Sequence, residues 1–293
     1  MGEVNTNPDY TRQTISIIFI VTLTIIIYAY FINLFGLIKA SSPSFQSTSL
    51  LLLIWRLGCL VVGISAIVYM YRCGPGNMRV ISFKESEEVI RYPTGLSKFV
   101  TFSSWTLLAN VSYFLLSTVN QLGELLGLSL PILFSQIQVI VFCSGIAMAF
   151  LTATIVRHII LPDEVKIRRN HEHMFLFHEQ IMHNFAAFFL AVELILLQPE
   201  LRPQFAIVGL FMGIVYVVFS YLFAYFGGGY IVYSFIHPRP KIAPILVFVL
   251  AGLISLFYVG LWFVSTLKMV LSIPILFVWI CMIVQFQPSR TIY

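Results

Sequence analysis

Residues 130–156 read LPILFSQIQVIVFCSGIAMAFLTATIV, a stretch of 27 residues without a charged side chain. An α-helix rises about 1.5 Å per residue, so this stretch would extend about 40 Å, more than the ~30 Å hydrocarbon core of a bilayer. A charge-free run of this length predicts a transmembrane helix. Similar runs occur along the whole chain.

The composition extends this prediction to the rest of the protein. Of the 293 residues, 59% are apolar and only 10% are charged, against about 25% in an average soluble domain. A soluble protein needs more polar surface to face water, which excludes a soluble enzyme and a disordered chain. The net charge of +5 resides in short segments between apolar runs, which also excludes a nucleic-acid-binding protein. The chain is therefore predicted to be an integral, multi-pass membrane protein.

Eight apolar runs are long enough, or nearly so, to cross a bilayer. Backbone groups in lipid must pair within the protein, and the alternating pattern of a β-barrel is missing, so the runs are predicted to be helices. The expected fold is an all-α polytopic bundle, one integral membrane domain over 1–293, with 73–97 as a solvated connecting loop. The predicted spans are 14–38, 49–72, 98–119, 130–156, 174–197, 204–226, 243–266 and 269–287.

Positive charges are divided unevenly between the two sides of such a bundle. With eight spans, thirteen Lys and Arg residues share the side of both termini, and three, Lys39, Arg202 and Lys268, lie on the other. Cytoplasmic loops carry the excess of Lys and Arg, so both termini are predicted to be cytoplasmic. The thirteen are Arg12, Arg72, Arg79, Lys84, Arg91, Lys98, Arg157, Lys166, Arg168, Arg169, Arg239, Lys241 and Arg290.

Arg56 lies inside the second predicted span, where a charge must be paired or serve a function. Two interpretations stay open. Arg56 pairs with a carboxylate or backbone carbonyls between helices, or it holds an anionic group of a substrate. In other spans, Gln136 and Gln138 are expected to hydrogen-bond between helices, and Gly209 with Gly213 to allow a close helix contact.

Four histidines fall within thirteen residues, in HEHMFLFHEQIMH at 171–183. The zinc-binding HExxH pattern places two His four residues apart, whereas His178 and His183 are five apart and point about 140° from each other on a helix. No metal site is therefore expected. His183 lies at the membrane boundary, with Glu179 one turn before it and Glu193 ten residues after it. A neutral His beside a carboxylate can act as a base, and a packing histidine is the alternative.

A hydroxyl that such a base could activate occurs at the start of the third predicted span, where Thr101 is followed by Ser103 and Ser104. If the fifth crossing begins near residue 181, Thr101 and His183 lie at similar depth, and a His can activate a Thr nucleophile. Hydroxyl residues are also common caps at helix starts, so a structural role for Thr101 is the alternative. No GxSxG segment occurs, which excludes the usual serine-hydrolase fold.

Three short segments resemble a known family. Lys98–Phe102, KFVTF, resembles the K-[FY]-[LF]-T-F helix start of the androgen-induced-protein family, integral membrane hydrolases of fatty acid esters of hydroxy fatty acids. The interval from His183 to Glu193 is similar to that family's catalytic His, ten positions before a Glu. Gly229–Ile236, GYIVYSFI, resembles a later G-x-x-V-Y-P-F-[LI] segment, with Ser234 in place of Pro.

This resemblance implies a reaction and a set of site residues. The chain is expected to be an intramembrane, threonine-type hydrolase of long-chain lipid esters, with Thr101 as nucleophile and His183 as base. Neither a metal nor an organic cofactor is needed, and the expected partner is a bilayer lipid or fatty acid ester. The remaining candidates, which would orient the base or contact the substrate, are Glu179, Glu193, Arg56 and Tyr233.

The chain also resembles the related rolling stone proteins. These share the His-to-Glu helix, an Arg in an early span, as Arg56 is here, and a Trp soon after the Thr, as Trp105 is here. Members of that branch are mostly described as multi-pass membrane proteins without an assigned reaction, one being linked to cell fusion. The alternative prediction is therefore a non-enzymatic membrane protein for membrane organisation, fusion or signalling.

Overall fold

A computed structural model describes residues 9–73, 77–167 and 171–288 of the chain, and helices make up most of these ranges. Three helices contain or end in a single π turn, at Val156–Ile160, Ile181–Phe185 and Ala224–Gly228. The helices are α1 (Thr11–Phe31), α2 (Leu34–Ser41), α3 (Leu50–Arg72), α4 (Phe102–Leu125), α5 (Ile132–Ile155), α6 (Leu161–Lys166), α7 (Phe177–Gln180), α8 (Ala186–Leu197), α9 (Ala206–Phe223), α10 (Ala243–Ser265) and α11 (Met269–Ile283).

Six helical stretches in the described ranges are long and apolar enough to cross a membrane. They are Thr11–Phe31, Leu50–Arg72, Ile132–Lys166, Phe177–Leu197, Pro203–Gly228 and Ala243–Ser265. The prediction of a helical, multi-pass membrane protein is confirmed. Of the other two predicted spans, α4 is long enough but rich in Ser, Thr, Asn and Gln, and α11 has only 15 residues and contains Pro274.

Several helices differ in extent from the predicted spans: the fourth continues to Lys166 rather than ending at 156, and α11 ends at Ile283 rather than at 287. The limits of α1 and α4 have a local cause. α1 ends at Phe31 rather than at 38, because Asn33 adopts a left-handed backbone (φ 50°) and its side chain caps α2. α4 begins at Phe102 rather than at 98, because a 3₁₀ turn at Gly95–Val100 precedes it and Thr101 caps its first turn. Local backbone conformation, which an apolar run does not reveal, sets both limits.

The prediction that 73–97 is a solvated loop is wrong for part of its length. This segment contains β1 (Met78–Ser82) and β2 (Glu88–Arg91), which pair antiparallel, and Val80 on β1 is buried. β1 also pairs antiparallel with β3 (Tyr230–Ile231), giving the strand order β2-β1-β3. Strands this short depend on partners that only the folded chain supplies.

The sheet marks one end of the helix bundle, which we name the sheet end. In the chain, its strands follow α3 and α9 and precede α4 and α10, so the ends of the first two helices and the starts of the last two lie there. An ion pair from Arg79 on β1 to Asp163 on α6 brings the end of α5 to the same place. At the opposite end, the Gln121 amide near the end of α4 donates to the Ser49 carbonyl before α3, at 2.8 Å. Three charges of the predicted excess lie outside the described residues, namely Arg168, Arg169 and Arg290.

Helix α5 occupies the centre of the bundle, packed against α4, α8, α9 and α10. Most of its residues from Gln138 to Ala153 are buried, which explains why this stretch carries no charge. Its Gln138 is paired as predicted, because its Oε1 accepts from Asn120 Nδ2 (2.6 Å) and its amide donates to the Phe45 carbonyl (3.2 Å). These bonds tie α5 to α4 and to the segment after α2.

Candidate active site

A cavity of about 730 Å³ lies at the sheet end, between the ends of α3, α5 and α9, the starts of α4 and α10, and α7 with the π turn that follows it. Four of the predicted site residues line it: Thr101, Glu179, His183 and Tyr233. Ser103 lines it as well. The volume lies within the range of about 300–1,000 Å³ that is usual for sites of small organic ligands.

Thr101 is the cap of α4, with extended backbone (φ −82°, ψ 150°). Its Oγ1 accepts hydrogen bonds from the Ser104 backbone N–H (3.1 Å) and from Ser103 Oγ (3.2 Å). A threonine hydroxyl has one hydrogen and two lone pairs, so both acceptor positions are occupied and its own hydrogen remains available to a base. The hydroxyl therefore sits at a helix N-terminus, where developing negative charge is stabilised.

Tyr233 lies beside Thr101 because its hydroxyl accepts a hydrogen bond from the Phe102 backbone N–H (3.2 Å). Its ring stacks on Phe235, with centroids 5.1 Å apart, which fixes its direction. Burial raises the pKa of Tyr233 to about 12, so the group stays protonated at neutral pH. Its O–H is thus a donor held next to the Thr101 hydroxyl.

His183 lies in the π turn Ile181–Phe185, and its side chain is buried. Its Nε2 is 3.4 Å from Glu179 Oε2, while Glu179 Oε1 is 3.3 Å from Nε2 of His178. Glu179 therefore bridges two imidazoles. Nδ1 of His183 and Nδ1 of His178 are buried and have no hydrogen-bond partner among the described residues. An imidazole with one nitrogen on a carboxylate and the other unoccupied can take up a proton.

The π turn that carries His183 is held by the chain beyond α11. Asn184 Nδ2 donates to the Gln285 carbonyl (2.8 Å), and Asn184 Oδ1 accepts from the Gln285 N–H (3.0 Å). The side chain of Asn184 thereby pairs with Gln285 as a neighbouring strand would. This clamp on the adjacent residue limits the freedom of the His183 backbone.

Thr101 and His183 line the same cavity, but no hydrogen bond joins them within the described part of the chain. Proton transfer between them consequently needs a substrate or a water molecule to close the gap. Among the described residues, no three His, Cys, Asp or Glu side chains are arranged to hold a metal ion.

Arg56 and Glu193 do not line the cavity; they form a pair that is fully buried between helices. Glu193 Oε1 accepts from Arg56 Nε (2.8 Å) and from the Tyr113 hydroxyl (2.8 Å). Arg56 Nη1 also donates to Gln121 Oε1 at 3.0 Å. The geometry matches the carboxylate-pairing interpretation of Arg56, and it leaves Glu179 as the carboxylate in contact with His183.

Sequence reasoning used Arg79 only to assign orientation, yet Arg79 lines the rim of the cavity. It is surrounded by Asp163, Glu88 (Nη1–Oε2 3.7 Å) and Glu164 (Nε–Oε1 3.5 Å). Burial alone would lower the pKa of Arg79, but the Asp163 hydrogen bond and the three carboxylates outweigh burial and raise it. No sequence signal links these residues, because β1 and α6 are about 80 residues apart.

The inner wall of the cavity is apolar. It is formed by α5, α9 and α10, through side chains that include Leu151, Ile214, Val217, Leu250 and Ile254. The cavity therefore has a charged rim, a polar section with Thr101 and His183, and a hydrocarbon-like interior.

No protein-family model, no curated protein and no solved structure matches this chain.

Proposed function

We propose that the protein hydrolyses long-chain lipid esters inside the membrane, with Thr101 as nucleophile and His183 as base. The observation that carries this proposal is the convergence of Thr101, Tyr233 and the Glu179–His183 pair on one cavity with an apolar interior. A long-chain ester partitions into lipid, so a cavity within the bundle suits its chain. The resemblance in the three sequence segments points to the same chemistry.

In the first step, Thr101 Oγ1 attacks the ester carbonyl carbon while its proton moves to His183 through a bridging water. The carbonyl oxygen becomes negatively charged as the carbon becomes tetrahedral. Tyr233 donates a hydrogen bond to that oxygen, since its own acceptor position is taken by the Phe102 N–H. One such donor is worth roughly 10²–10³ in rate in other acyl-transfer enzymes.

The tetrahedral intermediate then collapses. The C–O bond to the alcohol breaks, His183 returns the proton to the departing alkoxide, and an acyl ester remains on Thr101. Water attacks this ester with His183 again as base, which releases a carboxylic acid and restores the Thr101 hydroxyl. Glu179, which faces Nε2, stabilises the protonated imidazole between these transfers.

Arg56 and Glu193 take no part in this scheme. We assign the pair to the core between the helices, because the two side chains form an ion pair with each other and neither lines the cavity. This replaces the expectation that Arg56 contacts the substrate. The carboxylate that orients His183 is Glu179 in the proposal.

We further propose that α4 and α11 complete eight crossings, with both termini cytoplasmic and the sheet end facing the cytoplasm. Consecutive long helices alternate in direction between the two ends, which supports an even number of crossings for the described residues 9–288. The polar residues of α4 are mostly buried against neighbours, so lipid would meet its apolar side.

A test must separate the cap function of Thr101 from a nucleophilic one. Thr101→Asn keeps a good helix cap but has no hydroxyl, whereas Thr101→Ser keeps both. Purified variants in detergent are treated with a fluorophosphonate probe and, separately, with a fatty acid ester of a hydroxy fatty acid. We expect labelling and hydrolysis in wild type and Thr101→Ser, and neither in Thr101→Asn or His183→Gln. Turnover that persists in Thr101→Asn refutes the nucleophile.

A non-enzymatic membrane protein is the second candidate. It is supported by the helix-cap bond that Thr101 accepts from the Ser104 N–H, which a purely structural residue would also make, and by the lack of a described bond from Thr101 to His183. On this alternative, folded wild-type protein is not labelled and hydrolyses no ester. Thr101→Asn is then indistinguishable from wild type in both assays.

A further inference from the structure

The apolar part of the cavity reaches a definite depth along three helices. The deepest lining residues are Leu151 on α5, Gly213 on α9 and Ile254 on α10. Along each of these helices, they are the lining residues farthest from the sheet end. One turn further, Ala147 on α5 and Gly209 on α9 no longer line it. The three helices therefore close together just beyond Ile254.

One side chain forms this closure. A Cβ atom added to Gly213 would lie 2.5 Å from Ile254 Cδ1, and one added to Gly209 would lie 2.8 Å from Ile254 Cγ2. The Gly209 position also faces Ala147 at 3.4 Å, and Ile254 is only 3% exposed. The close helix contact predicted for the two glycines is thus present. It is made with α10, and its partner is the Ile254 side chain that ends the cavity.

The closure at Ile254 lies about one leaflet from the start of α10. From Ala243, where α10 begins at the sheet end, to Ile254 is eleven residues, or about 17 Å at the rise of an α-helix. Half of a ~30 Å hydrocarbon core is about 15 Å. With a charged rim and an uncharged interior, the cavity fits one acyl chain whose polar end stays near Thr101.

We propose that Ile254 is the floor of an acyl-chain site and sets the longest chain that fits with its ester group at Thr101. This rests on the proposed function in naming the ester, but the chain site itself needs only binding. The absence of a side chain at Gly213 leaves the space that the end of Ile254 occupies. The inferred ligand is a single unbranched acyl chain with a carboxyl or ester head.

The experiment measures binding of saturated fatty acids of increasing length to the full-length protein, by displacement of a fluorescent fatty acid. Ile254→Ala removes about three carbons from the floor and should move the tightest-binding chain to longer acids. Each methylene newly accommodated should strengthen binding about fourfold. Gly213→Ala should move the optimum to shorter acids, since its Cβ displaces the end of Ile254 into the cavity.

Two further variants keep the test interpretable. Ile254→Val removes one methyl with little risk to folding and should give a smaller shift in the same direction. Leu256→Ala, on the exposed side of α10, should leave the chain-length optimum unchanged. An unchanged optimum in folded Ile254→Val and Ile254→Ala refutes the floor, as does wild-type protein that binds no fatty acid.

The outcome separates the two proposals. If the optimum shifts but no ester is hydrolysed, the chain site stands and the hydrolase proposal fails. If esters are hydrolysed with the same chain-length preference in all variants, the hydrolase stands and Ile254 is not its floor.

Discussion

Removal of Glu193 tests the buried charge pair. In the Glu193→Ala variant, Arg56 Nε and Nη2 lose the oxygen that lies 2.8 Å and 2.7 Å away, and the Tyr113 hydroxyl loses its acceptor. Arg56 is 0% exposed, so water does not replace the carboxylate. The guanidinium keeps only the Gln121 and Ser117 oxygens on Nη1.

The magnitude follows from these contacts. Leaving one partner of a buried ion pair uncompensated costs about 3–5 kcal/mol, and the lost tyrosine bond adds about 1 kcal/mol. Together these losses amount to about 4–6 kcal/mol. Because Nη1 keeps its two acceptors, we expect the lower end, a loss of about 4 kcal/mol of unfolding free energy. The neutral contact between Thr106 and Thr152 (2.9 Å) supplies a scale. Thr106→Val should cost about 0.6 kcal/mol, the average for hydrogen bonds between membrane helices.

The assay is unfolding by increasing SDS in mixed micelles, followed by circular dichroism. A double variant, Arg56→Met with Glu193→Leu, replaces the pair by apolar groups and should recover to within about 1 kcal/mol of wild type. If Glu193→Ala destabilises no more than Thr106→Val, the pair is not a stabilising contact of the core. A double variant as unstable as the single one would show that the loss comes from packing rather than from an unpaired charge.

Three other predictions concern the backbone, the C-terminal clamp and the orientation. Gly229 has φ +68°, so Gly229→Ala should cost about 1–2 kcal/mol of unfolding free energy, whereas Gly227→Ala, whose Cβ would meet nothing within 4 Å, should cost far less in the same SDS titration. Asn184→Ala should speed proteolytic cleavage of the segment after α11 in limited digestion, and an unchanged rate would contradict the clamp. In a Cys281→Ser variant, exposed Cys73 at the sheet end should react with a membrane-impermeant maleimide in inside-out vesicles but not in intact cells. The reverse pattern would contradict the proposed orientation.

The membrane-spanning architecture could be predicted from composition because lipid imposes a simple requirement. A crossing helix needs about 20 apolar residues and satisfies its own backbone, and both conditions are visible in a linear sequence. The six confirmed stretches are those that meet both. The limit of this reasoning is α4, whose polar side chains are covered by neighbouring helices, so its hydropathy underestimates how well it fits the bundle.

Local spacing also predicted the contact between Glu179 and His183, since residues four apart meet on one helix face. Spacing did not choose between Glu179 and Glu193 as the partner of that histidine. The choice depends on Arg56, which lies 137 residues before Glu193 in sequence. Because Arg56 pairs with Glu193, that carboxylate does not contact His183. A buried cation needs a counter-charge, and only the packed helices determine which carboxylate supplies it.

The sequence by itself therefore determined that this is a helical membrane protein, and it supplied the hydroxyl and imidazole side chains on which the proposed hydrolysis depends. Tertiary structure decided the rest: the β1–β3 pairing, the carboxylate beside His183, the approach of Tyr233 to the start of α4, and the cavity that ends at Ile254. The physical reason is range. Hydropathy and helical periodicity act over one turn or one span, whereas a cavity and a buried ion pair arise from contacts between residues more than a hundred positions apart.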